Sequence, residues 1–197
     1  MTESGKFRVL LVYPNLSMML TPSYAVGLFT AILKRLGYQI EFFDCTPYLA
    51  EVEFMGEPLA VTRANKLLNS RQFDSKALFG DPKTDLKGDF TRALNTLNPH
   101  VVILSTLVED TWPQAQDLLA ILAGFPHVRH IIGGVFCTMS PESIVEHPAV
   151  RCVGVGEGEE TIAEFCELVR NGREPLGIRG TWTRDNKGNV TKNPPKK

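Results

Sequence analysis

Arg8–Tyr13 (RVLLVY) is an unbroken apolar run of strand length, of the kind found in strands covered on both faces of a parallel sheet. Apolar positions then change to helical spacing. Val26, Leu28, Phe29, Ile32, Leu33 and Leu36 predict a helix over Tyr24–Leu36, with Gly37 placed to stop it. Gln39–Cys45 (QIEFFDC) returns to strand length, so residues 8–45 read as one strand–helix–strand unit with a right-handed crossover. The rhythm breaks over residues 46–88, an insertion containing Pro47, Pro58 and Pro82, with a helix expected near Leu59–Leu68 and an irregular loop over Asp74–Gly88.

Alternation resumes beyond the insertion. Asp89–Leu97 predicts a helix, Val101–Thr106 a strand, and Asp110 or Thr111 a cap for a helix with Pro113 in its first turn. His130–Val135 reads as a strand, Pro141–Glu146 as a short helix, Cys152–Val155 as the fifth strand and Glu159–Val169 as the last helix. Gly180–Arg184 and Asn189–Thr191 flank Asp185-Asn186-Lys187-Gly188, a hairpin turn. The fold class expected is α/β: a doubly wound, five-stranded parallel sheet with a C-terminal β-hairpin. Residues 1–178 would form the α/β domain. Residues 179–197 would hold the hairpin and a linker rich in proline and lysine.

Composition narrows the function classes. Hydrophobic residues make up 43% and charged residues 22% of the 197, and the formal net charge is -1. That balance points away from a nucleic-acid surface, which needs concentrated Lys and Arg. No apolar run is long enough to span a membrane, and Met1–Lys6 leads into no signal-peptide pattern, so the expected location is cytoplasmic. Cys45, Cys137, Cys152 and Cys166 lack the spacing of a redox pair, a zinc site or an iron–sulfur cluster, and each sits in or beside an apolar stretch as a buried small hydrophobe would. No metal ligands and no catalytic residues are expected. His100, His127, His130 and His147 are scattered and suit surface or packing roles, and Trp112 suits packing.

Ligands of doubly wound sheets bind outside the C-terminal strand ends, which directs attention to Pro14–Thr21, Asp44–Thr46, Ser105–Asp110, Gly133–Thr138 and Gly154–Glu160. These loops lack the acids and lysine of a phosphorelay receiver and the small hydroxylated phosphate loop of a flavodoxin. They also lack a Gly-x-x-x-x-Gly-Lys run, and Gly154-Val155-Gly156-Glu157-Gly158 has the wrong spacing and charge for a dinucleotide fingerprint. They do offer a hydroxyl at Ser105, followed by Thr106 and Leu107. Gly133-Gly134 before Val135 omits two side chains at one strand end, where a flat ligand can lie on the backbone or the chain can turn tightly. Gly156-Glu157-Gly158-Glu159 is a bare loop into a helix whose acids suit an N-terminus.

In combination these residues resemble the N-terminal cobalamin-binding domain of B12-dependent radical SAM enzymes, a group that includes methylases and the magnesium-protoporphyrin monomethyl ester oxidative cyclase type. The resemblance runs from Arg8 to the C-terminus. It rests on Val9–Asn15, Gly27-Leu28, Leu33–Tyr38, Phe43-Asp44, Pro99–Val102, Ser105–Leu107, Ile132–Val135, Pro141-Glu142, Gly154–Thr161 and Ile178–Gly180. It implies that the nucleotide tail of cobalamin threads between sheet and helices. Ser105 would bond near the dimethylbenzimidazole, Leu107 would wall the slot, and Gly133 and Gly134 would leave room. The corrin would lie against Pro14, Asn15 and the following loop. Thr106, Val135, Gly156, Glu157 and Gly158 complete the expected cofactor contacts.

Two family features are missing. The Asp-x-His-x-x-Gly motif is absent, which implies base-off cobalamin without a protein histidine ligand. The Cys-x-x-x-Cys-x-x-Cys that would hold a 4Fe–4S cluster is also absent. The cluster and SAM are then expected only in a C-terminal radical SAM domain of a longer parent chain, with this piece inactive alone. The parent would be a radical SAM methyltransferase or an oxidative cyclase. The competing expectation is a relative that has lost cobalamin and serves as a scaffold or substrate-recognition domain, its corrin site filled by the bulky Leu16–Leu20 segment or the 46–88 insertion. An exposed face left by a missing domain could also support a dimer.

Overall fold

The structure, a computed structural model, describes residues 5–16, 23–48, 53–54, 57–58, 81–185 and 187–195. The expected helix at 59–68, most of the loop from 74, and Ser17–Leu20 lie outside the described residues.

β1 (Arg8–Tyr13) is followed by α1 (Tyr24–Arg35) and β2 (Gln39–Asp44). Ser23 Oγ accepts the Val26 amide at the start of α1. Gly37 ends it at φ +80, in the left-handed region that Gly adopts without strain. Within the insertion, β3 (Glu53–Phe54) and β4 (Glu57–Pro58) form a minimal antiparallel pair that the hydrophobic pattern does not reveal. α2 (Leu86–Leu97) starts three residues earlier than expected, inside what reads as loop, because the Asp85 carboxylate accepts the Gly88 amide at 2.8 Å and caps it.

β5 (Val101–Ser105) leads through a 3-10 turn (Glu109–Thr111) into α3 (Trp112–Leu122). Thr111 precedes α3 without capping it, because its hydroxyl donates to Val108 O. β6 (Arg129–Gly133) ends before Val135, which instead opens the short helix α4 (Val135–Met139). α5 (Pro141–Val145), β7 (Cys152–Gly154), α6 (Glu159–Arg170), β8 (Thr181–Arg184) and β9 (Val190–Lys192) follow.

The sheet order is β2-β1-β5-β6-β7-β8-β9. β2, β1, β5, β6 and β7 are the five parallel strands expected, and the C-terminal hairpin continues the same sheet antiparallel to make seven. Strand order reverses between β1 and β5. Alternate strand residues feed two cores. Leu10, Val12, Val102, Leu104 and Ile132 pack with Phe90 and Leu94 of α2 and with the Ala115, Leu118, Leu119, Leu122 stripe of α3. Val9, Leu11, Val101, Ile103 and Ile131 pack with Leu33 of α1 and Ile162, Phe165 and Cys166 of α6. Each fully buried Leu, Ile or Phe contributes roughly 1.5–3 kcal/mol.

The four cysteines are buried and unpaired. Burial raises the Cys45 thiol, and it pushes Cys137 up to about 11 and Cys152 and Cys166 up to about 12, so none is a thiolate at neutral pH. Trp112 packs against Phe136 and, edge-on, against His147. Among the described residues no helix is long and apolar enough to cross a membrane.

Candidate functional site

In α1 only Leu33 is fully buried, and the first turns of the helix stand off the sheet. Where β5, β6 and β7 end beneath them, Gly133, Gly134 and Gly154 contribute no side chains. The result is a groove of about 330 Å³ between the sheet and the α1/α6 layer, at the C-terminal strand ends. Ile103 and Ile131 are on its sheet side, Leu28 and Phe29 on α1, and Ile162 on α6. A ligand cleft of this kind is mostly apolar with few placed polar groups.

Of the residues expected from sequence, the groove brings together Ser105, Gly133, Gly134, Val135, Gly156, Glu157 and Gly158. Ser105 is half-buried, and its hydroxyl has no hydrogen-bond partner among the described residues. A methyl group added at Gly133 would meet nothing closer than Gly154 O at 3.8 Å. Gly134 differs: its φ is +114, and an added Cβ would lie 2.0 Å from Thr106 O, so the backbone itself needs glycine there. Gly158 makes room for the Phe29 ring, whose Cζ would be 2.7 Å from an added Cβ. Glu157 is exposed beside the first turn of α6.

Pro14, Asn15, Thr106 and Leu107 do not line the groove. Pro14 and Asn15 are buried. The Asn15 side chain donates to Thr46 Oγ1 at 2.8 Å and accepts the Leu16 amide at 2.9 Å, while the Asn15 amide donates to Gln114 Oε1 at 2.9 Å. Thr46 in turn donates to Asp44 Oδ1. Thr106 is 0% exposed, with its amide and hydroxyl both on Gly133 O. Leu107 projects into solvent beyond β5.

The hydrophobic pattern did not single out Tyr24, Ala25, Thr138 or Met139, which also line the groove. Thr138 bridges its two glycine loops: its hydroxyl donates to Gly134 O at 3.1 Å and accepts the Gly156 amide at 3.0 Å. The short α4 that carries Thr138 left no periodic signal, because five residues are too few to display one.

A larger cavity, about 460 Å³, lies at the opposite end of the sheet, lined by Arg129, His130, Arg151 and Arg184 among others. Arg129 pairs with Glu174, Arg151 donates to Asp185 O and Arg184 Nη2 donates to Val145 O, while the buried Arg184 Nε has no partner among the described residues. The smaller groove lies at the C-terminal strand ends, where ligands of doubly wound sheets bind. Among the described residues no His, Cys, Asp and Glu cluster could hold a metal ion.

A family model for the B12 binding domain matches residues 45–166. No curated protein matches the sequence. Among solved structures, the radical S-adenosylmethionine methyltransferase TsrM from Kitasatospora setae, with cobalamin and an iron–sulfur cluster bound, is similar at a TM-score of 0.69 and 19% identity over 96% of this chain and 29% of that one. Its form with tryptophan substrate and a SAM analogue bound gives 0.69 and 18%, over 96% and 30%. The cobalamin-dependent S-adenosylmethionine radical enzyme OxsB, with aqua-cobalamin and S-adenosylmethionine bound, gives 0.61 and 16%, over 98% and 23%. The chain thus spans less than a third of these proteins, and at such identities the likeness is one of fold. The family model covers more than half of the sequence, and the chain belongs to the B12-binding domain family.

Proposed function

We propose that this chain is the cobalamin-binding module of a B12-dependent radical SAM enzyme. It holds base-off cobalamin for methyl transfer or oxidative cyclisation by a parent protein whose radical SAM domain carries the 4Fe–4S cluster and SAM. The observation that carries the reading is the groove at the ends of β5, β6 and β7, with bare strand ends and a Ser105 hydroxyl that has no partner among the described residues. Family membership, and relatives whose structures contain cobalamin, support it.

The residues present fit the group. Gly133 leaves space beside the backbone that a side chain would take, and Leu28, Phe29, Ile103, Ile131 and Ile162 offer apolar walls to a flat heterocycle. Bound cobalamin supplies a cobalt centre able to accept and pass on a methyl group or electrons. The chain's own share is placement. Ser105 would donate its hydroxyl to a ring nitrogen of the nucleotide base. The apolar walls exclude water, and Thr138 holds the Gly133–Gly134 and Gly156–Gly158 loops at a fixed separation.

The test is an anaerobic titration of the folded chain with hydroxocobalamin, followed by gel filtration and a visible spectrum. Co-elution with a base-off spectrum is expected. Corrin-free elution of a chain that keeps its far-UV spectrum would overturn the reading and leave the scaffold role in its place.

A further inference from the structure

At the end of the sheet opposite the groove, where β6 and β7 begin and β8 ends, the cavity of about 460 Å³ has apolar walls from Phe125, Val128 and Leu176. Its charged groups do not balance. Arg129, Arg151 and Arg184 meet two acids, Glu174 and Asp185. Arg129 takes Glu174 at 2.5 Å. The Asp185 carboxylate is occupied in the hairpin turn, where it accepts the Lys187 and Asn189 amides and the Asn189 side-chain amide. Among the described residues, Arg151 and Arg184 have only neutral carbonyl oxygens as side-chain acceptors, Asp185 O and Val145 O.

The two arginines also oppose each other. Cys152 pairs with Thr183 in the antiparallel β7/β8 ladder, and the Arg184 amide donates to Arg151 O at 2.9 Å. That register sets Arg151 directly across from Arg184, and like charges so placed destabilise a strand pair. Each guanidinium carries five N–H donors. Arg184 Nε is buried without a partner among the described residues, a cost that a paired donor avoids. His130 lines the same cavity, and its pKa is lowered first by burial and then by Arg151 and Arg129, as a positive field there requires.

An anion would resolve these conflicts together. A guanidinium binds a carboxylate or phosphate through two parallel N–H bonds, and the planar fork suits sites partly shielded from water. The apolar walls beside it suit a ligand whose charge is carried on an apolar body. We propose that this cavity is a second binding site, for a small organic anion that carries a carboxylate or a phosphate on an aromatic or aliphatic body, held by Arg151 and Arg184. It lies at the other end of the sheet from the groove and does not depend on the cobalamin reading.

Calorimetric titration of the folded chain with benzoate, phenyl phosphate, neutral benzamide and inorganic phosphate tests it. Benzoate or phenyl phosphate is expected to bind with a Kd of about 1 mM or below, and about tenfold or more tightly than benzamide or inorganic phosphate. The tighter of the two identifies the anionic group. Arg151→Gln, at an exposed side chain, should keep the urea midpoint and weaken that binding about tenfold or more. Arg184→Lys, which keeps the charge and loses the fork, should weaken it too. Benzamide matching benzoate would leave only an apolar cavity, and inorganic phosphate matching phenyl phosphate would leave only exposed cations; either overturns the proposal. So would binding that survives Arg151→Gln, or no binding of either organic anion.

Discussion

Gly133 and Gly134 are adjacent and similar in sequence, yet the structure gives them different work. Gly134 is required by the backbone: at φ +114, with Thr106 O in the place of a Cβ, alanine must move the end of β5. Gly134→Ala should lower stability by ~2 kcal/mol or more, read as a drop in the urea midpoint. Gly133 has ordinary contacts and no unusual φ. Gly133→Ala should fold as well as the parent, because alanine loses less chain entropy in a strand. It should weaken hydroxocobalamin binding about tenfold by filling groove space. A Gly134→Ala protein of unchanged midpoint would contradict the close approach to Thr106. The same distinction separates Ser105 from Thr106: neighbouring hydroxyls, one open to the groove and one spent on Gly133 O.

Among elements, the informative feature is how strand ends are tied together. Asn15 joins the end of β1 to Thr46 after β2 and to Gln114 on α3. The Thr46 hydroxyl gives its proton to Asp44, so it can only accept from Asn15, and only an amide can donate there. Asn15→Asp should therefore destabilise at least as much as Asn15→Ala, by roughly 1–3 kcal/mol at neutral pH. Part of the Asp variant's loss should return at pH 4, where the new carboxyl can protonate. Equal midpoints for Asn15→Asp and the parent at pH 7 would refute the network. Element boundaries show the same contest between local signal and partner. The Asp85 cap extends α2 into apparent loop, and the turn at Gly134 takes Val135 out of β6 and into α4.

For the whole molecule, histidine burial makes stability fall as the pH drops below about 6.5. His130 in β6 is 9% exposed and bonds Ala149 O through Nε2 at 2.8 Å. Burial, and to a lesser degree Arg151 and Arg129, hold its pKa below the usual range. His100 and His147 are also lowered, first by burial. The folded protein protonates these rings at lower pH than the unfolded chain, which protonates them near pH 6.5, so protons favour unfolding. Their contribution is complete above about pH 6.5 and is lost as the pH falls below it toward the folded values. The urea midpoint should thus fall between pH 7 and pH 5, and His130→Gln should flatten that fall. A slope unchanged by His130→Gln would assign the acid sensitivity elsewhere.

The order of strands and helices, their near-terminal residues and the α/β class were legible because they rest on local quantities: apolar period, glycine stops and turn residues. Arg8–Tyr13 and Tyr24–Arg35 follow from spacing alone. The glycine and serine strand ends were legible as a candidate site for the same reason, since missing side chains show in sequence. Which residues share the groove was not. Leu28 and Phe29 have the period of core positions, and only the seating of α1 through Leu33 leaves them half-open over the sheet. Asn15 and Thr106 look like exposed polar strand ends, and only partners 31 and 27 residues away draw them inside. Sequence alone determined the alternating strands and longer helices of the main sheet and the edge on which a ligand would lie. The tertiary structure decided the walls and left the Ser105 hydroxyl open to the groove, because hydrogen-bond commitments and helix seating are made between segments far apart in the chain.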